Sequence, residues 1–311
     1  MRPISDLAGA VEDYLAIRRS LGLTLDRAGK LLSDFVAYLD ATGAQTVAVA
    51  AAAEWAMKPA AATPAWWAQR LAIVRGFARY LHAIDESNEI PPTDLLPSHK
   101  RRLAPYLYSD ADIAALMSAA GQLVPAWRAA CYQTLIGLLT TTGLRLGEAL
   151  GLDRDDVDLP EGWLRVRHGK RGRWREVAVH ESTIEALSRY CRVRDQQWPQ
   201  PVTPAFFVSM RGARLGKATV HDNFRALVEG AGLAGRGARR WPRPHDLRHS
   251  FAVRTVLGWY RDGTDVDAQL PTLSTWLGHV EPANTYWYLQ ASPELLGLAA
   301  ERLEQILGAL P

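Results

Sequence analysis

Four short clusters hold the side chains of this sequence best suited to chemistry. Thr142-Gly143-Leu144-Arg145-Leu146-Gly147-Glu148 closes a long apolar stretch, and Lys170 follows 25 residues after Arg145 in a Gly169-Lys170-Arg171-Gly172 turn. His245-Asp246-Leu247-Arg248-His249 opens a helical pattern behind Pro242 and Pro244. Leu277-Gly278-His279 comes last, with Tyr288 nine residues beyond His279. Two arginines, a lysine, two histidines and a tyrosine, with no acidic cluster at metal-ligand spacing, are parts for attacking a phosphodiester without a metal ion. Arginine offers a planar fork of donors to two non-bridging phosphate oxygens and stays charged. Negative charge gathers on those oxygens in the transition state, so preorganised cations stabilise it preferentially. A tyrosine, with an ordinary pKa of ~10, forms a covalent phosphoester once its proton is taken or its phenolate stabilised. A lysine in a flexible turn can protonate the departing sugar oxygen.

Taken singly, each cluster has a plainer reading. An Arg beside Gly at a helix end usually bonds carbonyls, a Lys in a Gly-flanked turn is usually solvated, and Tyr286-Trp287-Tyr288 would ordinarily be filler. His245 and His249 share the i, i+4 spacing of a zinc-binding H-E-x-x-H helix. Here Asp246 replaces the Glu, and Arg248 would set a fixed cation within one turn of the ion, so no metal or other cofactor is expected.

The elements that must position these residues fall into two parts. Leu7–Ile17, Leu31–Leu39, Val47–Met57 and Trp67–Leu81 keep helical apolar spacing, which predicts a helical domain over residues 1–83. Periodicity lapses over 84–108, where Pro91-Pro92, Pro97 and the basic run Lys100-Arg101-Arg102 mark a linker, and residues 109–311 form the second domain. There Ser109 and Asp112 are spaced to start a helix, and Trp127–Thr142 is expected as a buried one. Trp163–Arg167 and Glu176–Val179 alternate as a hairpin, with Phe206–Ser209 as a third strand. Helical patterns resume at Ser182–Arg194, Ala218–Gly230, Asp246–Leu257 and Ser292–Leu307. The fold class is mainly α with a small antiparallel β-sheet (α+β).

The formal net charge over 311 residues is only +3, which does not advertise a nucleic-acid binder. The sum is a cancellation. Residues 165–261 carry 20 Lys/Arg against 7 Asp/Glu, while 106–164 and 262–311 are acidic. Such a block can present a basic face to a phosphate backbone. Arg165, Arg167, Arg171, Arg173 and Arg175 in the hairpin, Arg239, Arg240 and Arg243 before the His245 cluster, and Lys100, Arg101 and Arg102 are the expected DNA contacts. Two cysteines, Cys131 and Cys191, cannot build a disulfide scaffold, and no run reaches a membrane span. A cytoplasmic, nucleoid-associated protein without a membrane partner is expected.

Taken together, the clusters resemble those of the tyrosine recombinase (phage integrase) family, and the resemblance covers essentially the whole chain. Thr142-Gly143-Leu144-Arg145 with Glu148 is similar to the family's first-arginine motif, Gly169-Lys170 to its hairpin lysine, His245–His249 to its H-x-L-R-H box, and Leu277-Gly278-His279 to its L-G-H box. The resemblance implies a site-specific recombinase that cuts and rejoins DNA through a 3′-phosphotyrosine. Tyr288 would be the nucleophile, Arg145 and Arg248 the phosphate clamp, Lys170 the general acid, and His245 and His279 hydrogen-bonding partners of the phosphate. Glu148 would orient Arg145 or His245 from behind. It implies a helical core-binding domain, double-stranded DNA with specific sites as partner, and a homo- or hetero-oligomer, a tetramer on two sites. Integration, excision or transposition of a mobile element would be the outcome. The Ser292–Leu307 helix would dock on a neighbouring subunit. Two spacings depart from the pattern: 31 residues separate Arg248 from His279, with Trp259–Leu270 read as an added loop, and Tyr286 lies close to Tyr288. A DNA-binding accessory subunit and a type IB topoisomerase-like enzyme share many of these features.

Overall fold

The computed structural model describes residues 6–23, 25–97, 104–167, 174–235, 241–278, 295 and 297. The chain packs as two compact units, residues 1–102 and 103–311. The first contains α1 (Leu7–Ser20), α2 (Asp26–Thr42), α3 (Val49–Met57) and α4 (Pro64–His82). Asp6 caps α1 by accepting from the Gly9 N–H, and Thr63 caps α4 with Pro64 in the first turn. Leu32, Phe35, Leu39, Trp55, Leu71, Val74, Phe77 and Leu81 are buried together between the helices. The aperiodic stretch after α4 folds back onto this unit. Asn88 Oδ1 accepts from Val47 N at 3.0 Å, and Arg75 donates to the carbonyls of Pro91 and Pro92, both at 2.6 Å. Side-chain-to-backbone bonds hold this segment where no apolar period exists to announce it.

The second unit contains α5 (Asp110–Gly121), α6 (Ala126–Thr142), α7 (Leu146–Gly151), α8 (Glu181–Gln197), α9 (Lys217–Gly230), α10 (Pro244–Arg261) and α11 (Val266–Leu277). A three-stranded antiparallel sheet, β1 (Val157–Asp158), β2 (Trp163–Val166) and β3 (Arg175–Ala178), sits between α7 and α8 in sequence. The protein is therefore mainly helical with a small antiparallel sheet. Ser109 and Asp112 form a reciprocal capping box at α5. Helix α6 is apolar on nearly all sides because it packs on α5, α8 and α10. β2 and β3 pair with Leu164 opposite Val177, which puts both buried side chains on the core face.

Two expectations change. Phe206–Ser209 is not a strand of the sheet, whose third member is β1. The segment is fixed by isolated bridges, Asp153 with Ala205 and Val208 with Arg214, and Phe206, Phe207 and Val208 are all buried. An apolar run buried on both sides reads as a strand by periodicity alone, whichever way it is held. Trp259–Leu270 is not an added loop either. α10 runs on to Arg261, and after a short turn Asp265 caps α11 by accepting from Asp267 N and Ala268 N. Pro271, which reads as a breaker, lies inside α11.

Leu295 is 1% exposed and packs with Ala252, Val253, Val256, Leu270 and Leu273 of its own chain. The rest of the expected Ser292–Leu307 helix, Gly297 apart, lies outside the described residues. Among the described residues, no helix is long and apolar enough to cross a membrane, and no group of His, Cys, Asp and Glu is placed to hold a metal ion.

Candidate active site

The site is built where α6 ends. Gly143 closes that helix with φ +64°, a conformation costly for any residue with a Cβ. A Cβ there would run into the Phe251 ring and lie 2.9 Å from Leu277 Cδ2. The tight turn sits against α10 and α11 and brings two motifs together. Arg248, 1% exposed, donates from Nη1 to the Gly143 carbonyl at 2.8 Å and from Nη2 to the Leu277 carbonyl at 2.6 Å. Trp276 Nε1 donates to the Thr142 carbonyl at 2.9 Å. A buried guanidinium aimed at helix-end carbonyls uses acceptors that have no intrahelical partner.

Arg145 is the N-cap residue of α7. Its Nη1 donates to Glu148 Oε1 at 2.7 Å, its backbone N–H to Glu148 Oε2 at 3.0 Å, and its Nη2 to the Gly278 carbonyl at 3.0 Å. Glu148, 6% exposed, also receives both Nη atoms of Arg175, at 3.2 and 2.9 Å. Burial alone would raise its pKa. The hydrogen bonds and charge of Arg175, then the backbone N–H and charge of Arg145, outweigh that and hold it at about 2. Two cations on one carboxylate leave a net positive charge, the sign an anionic substrate needs.

The start of α10 sets His245 and His249 edge to face, with ring centroids 4.7 Å apart. His245 is exposed and His249 buried. Asp246, fully buried, accepts from the Arg243 N–H at 2.9 Å and from Arg243 Nη2 at 3.3 Å. Ser250 Oγ donates to the Asp246 carbonyl at 2.9 Å and accepts from the Tyr108 N–H at 2.8 Å, tying the helix to the extended segment that leads into α5.

Arg145, Glu148 and Arg248 are thus drawn to one place at the end of α11, whereas Lys170, His279 and Tyr288 lie outside the described residues, as do Lys100, Arg101, Arg102, Arg171, Arg173, Arg239 and Arg240. Of the expected DNA contacts that are described, Arg165 lies 3.8 Å from Glu176, and Arg167 pairs with Asp156. Both stay half exposed. Arg175, a further expected DNA contact, donates within the protein to Glu148 and the Trp276 carbonyl. Glu148, expected to orient Arg145 or His245, accepts from Arg145 and also from Arg175. Lys217 escaped sequence reading, and its Nζ would lie 2.7 Å from a Cβ on Gly147.

Comparison with known proteins decides the family. The profile of the phage integrase family matches residues 108–294, more than half of the chain. The chain belongs to the phage integrase family of tyrosine recombinases. It is a DNA strand-cleaving and rejoining enzyme of site-specific recombination. This recombinase is 42% identical to integrase/recombinase y4rB of Sinorhizobium fredii (strain NBRC 101917 / NGR234), over 97% of this chain and 98% of the other. It is 30% identical to tyrosine recombinase XerC of Pelotomaculum thermopropionicum, over 74% and 71% of the two chains. Among solved structures, the Tn1549 transposon integrase in complex with transposon right end DNA shares the fold, with a TM-score of 0.66 at 17% identity over 96% and 99% of the chains.

Proposed function

We propose that the recombinase cuts one strand at a time by attack of the Tyr288 oxygen on the scissile phosphate. A 3′-phosphotyrosyl bond forms as the Tyr288 proton is passed to His245 or His279, which assist the proton shuttling, while the bond to the 5′-oxygen breaks and Lys170 gives that oxygen its proton. The 5′-hydroxyl of a partner duplex then attacks the phosphotyrosine, so phosphodiester bonds are conserved in number. Arg145 and Arg248 clamp the non-bridging oxygens, and His245 and His279 hydrogen-bond the phosphate. The observation that carries this reading is the convergence of Arg145 and Arg248 on the Gly278 and Leu277 carbonyls, the two residues that precede His279 in the sequence. The Arg145 side chain is 30% exposed and Arg248 is buried, so strand docking must bring the phosphate down to Arg248.

Duplex DNA with specific sites is the substrate. The DNA in the Tn1549 integrase complex, of the same fold, supports this. The helical residues 1–83 act as a core-binding domain, and Arg165, Arg167, Arg171, Arg173, Arg239, Arg240, Arg243 and Lys100–Arg102 supply backbone contacts. Recombination needs two sites, hence a tetramer of this chain or of this chain with related subunits, working in the cytoplasm on the nucleoid. A nicked suicide substrate tests the proposal: wild type yields a covalent protein–DNA adduct that EDTA does not prevent. Tight binding without any adduct contradicts it and favours an accessory role.

A further inference from the structure

Arg175 is the first residue of β3 and lies across the sheet from Val166. In sequence it closes the hairpin whose turn carries Lys170. Its guanidinium makes three hydrogen bonds among the described residues. Nε donates to the Trp276 carbonyl at 2.9 Å, while Nη1 and Nη2 form a two-pronged pair with the Glu148 carboxylate at 3.2 and 2.9 Å. This bidentate geometry is the strong form of an arginine–carboxylate contact. The same carboxylate holds the Arg145 backbone and side chain. Gly278 completes the arrangement: a Cβ there would lie 2.9 Å from Arg175 Nη1 and 3.5 Å from Arg145 Nη1, so both guanidinium groups pack against that bare backbone.

We infer that Arg175 is a positioning residue for strand cleavage, holding Arg145 through Glu148 and the end of α11 through the Trp276 carbonyl. The inference rests on the phosphotyrosine mechanism proposed above. One side chain joins the arm of the Lys170 hairpin, the cap of α7 and the segment that leads to His279, so it sets the relative placement of three catalytic motifs. Misplacement of about 1 Å in such a constellation costs on the order of 10²-fold in rate. A phosphate contact by Arg175 would require giving up these partners. Among the described residues, the charged groups facing Glu148 are Arg145 from the cap of its own helix and Arg175 from β3, with Lys217 of α9 beside neighbouring Gly147.

The test is single-turnover cleavage of a suicide substrate at saturating DNA, with binding measured separately across salt and pH. Arg175→Ala is expected to cleave about 10²-fold more slowly, with DNA affinity within about threefold and an unchanged log–log salt slope. Without Arg175, burial drives the Glu148 carboxyl up, so the acid limb of cleavage moves to higher pH. That limb disappears in Arg175→Ala combined with Glu148→Gln. Arg175→Lys, which keeps the charge but not the fork, recovers part of the rate. An unchanged cleavage rate with a salt slope lowered by about 0.9 makes Arg175 a phosphate contact and overturns the inference. A lost thermal transition, with no shift of the acid limb and no recovery in Arg175→Lys, assigns it to folding and overturns it equally. If wild type itself makes no adduct, the proposed mechanism fails rather than the role of Arg175.

Discussion

Arg145 and Arg248 donate to adjacent carbonyls, Gly278 O at 3.0 Å and Leu277 O at 2.6 Å. Two motifs far apart in sequence are thereby referenced to the last turn of one helix. Lysine at position 248 cannot span both the Gly143 and Leu277 carbonyls, since its single ammonium lacks the planar fork. Arg248→Lys is expected to lose at least 10²-fold in cleavage and about 1–3 kcal/mol in stability from the acceptor left without its donor. Urea unfolding alongside single-turnover cleavage checks both numbers. Retention of wild-type stability would mean that the two carbonyl bonds contribute little.

Gly143→Ala separates the turn from the catalytic groups. The left-handed conformation costs alanine about 1–2 kcal/mol, and the added methyl meets Phe251 and Leu277 in a packed interior, costing about 1–3 kcal/mol more. A stability loss on the order of 3 kcal/mol is expected, with cleavage impaired because the Gly143 carbonyl anchors Arg248. Denaturant titration of the variant measures it, and a loss below 1 kcal/mol is inconsistent with the close contacts.

The Glu148 carboxyl also makes a prediction about acid. Its folded pKa of about 2 lies below the ordinary value of 4.5. Its ionisation therefore stabilises the folded chain fully above pH 4.5, and that contribution fades as pH falls toward 2. The shift corresponds to about 3 kcal/mol. Glu148→Gln is expected to be less stable near neutral pH and to show a flatter decline between pH 4.5 and 2. Urea unfolding against pH provides the comparison, and parallel curves for the two proteins would remove Glu148 from the acid response.

The basic hairpin should separate by salt dependence. Arg171 and Arg173, proposed backbone contacts, are each expected to lower the log–log salt slope of DNA binding by about 0.9 when changed to Ala. Arg175→Ala, four and two residues further along, should leave it unchanged. Equal effects from all three would mean that the hairpin acts as an undifferentiated charge patch.

Much of this was legible in the sequence, for physical reasons that differ by element. Helices α1 to α6 announce themselves because each buries one apolar stripe or, for α6, is buried almost throughout. The β2–β3 hairpin is legible from alternation. Phe206–Val208 misleads because a buried apolar run has no distinguishing period. Helix α10 is legible from Asp246–Leu257, whereas α11 is hidden by Pro271 and by the polar turn around Asp262 and Asp265, where one capping side chain restarts a helix. Arg145, Glu148 and Arg248 are visible as motif residues, yet their shared reference to α11 is a tertiary fact. Arg175 reads as one more hairpin arginine. Only the distance to Glu148, 27 positions earlier in the chain, distinguishes it from its neighbours.

Tyr288 acts as the nucleophile if a nicked suicide substrate distinguishes Tyr288→Phe from wild type and Tyr286→Phe. Wild type and Tyr286→Phe should form the covalent adduct, and Tyr288→Phe should bind DNA with wild-type affinity and form none. An adduct that persists in Tyr288→Phe and vanishes in Tyr286→Phe would make Tyr286 the nucleophile instead.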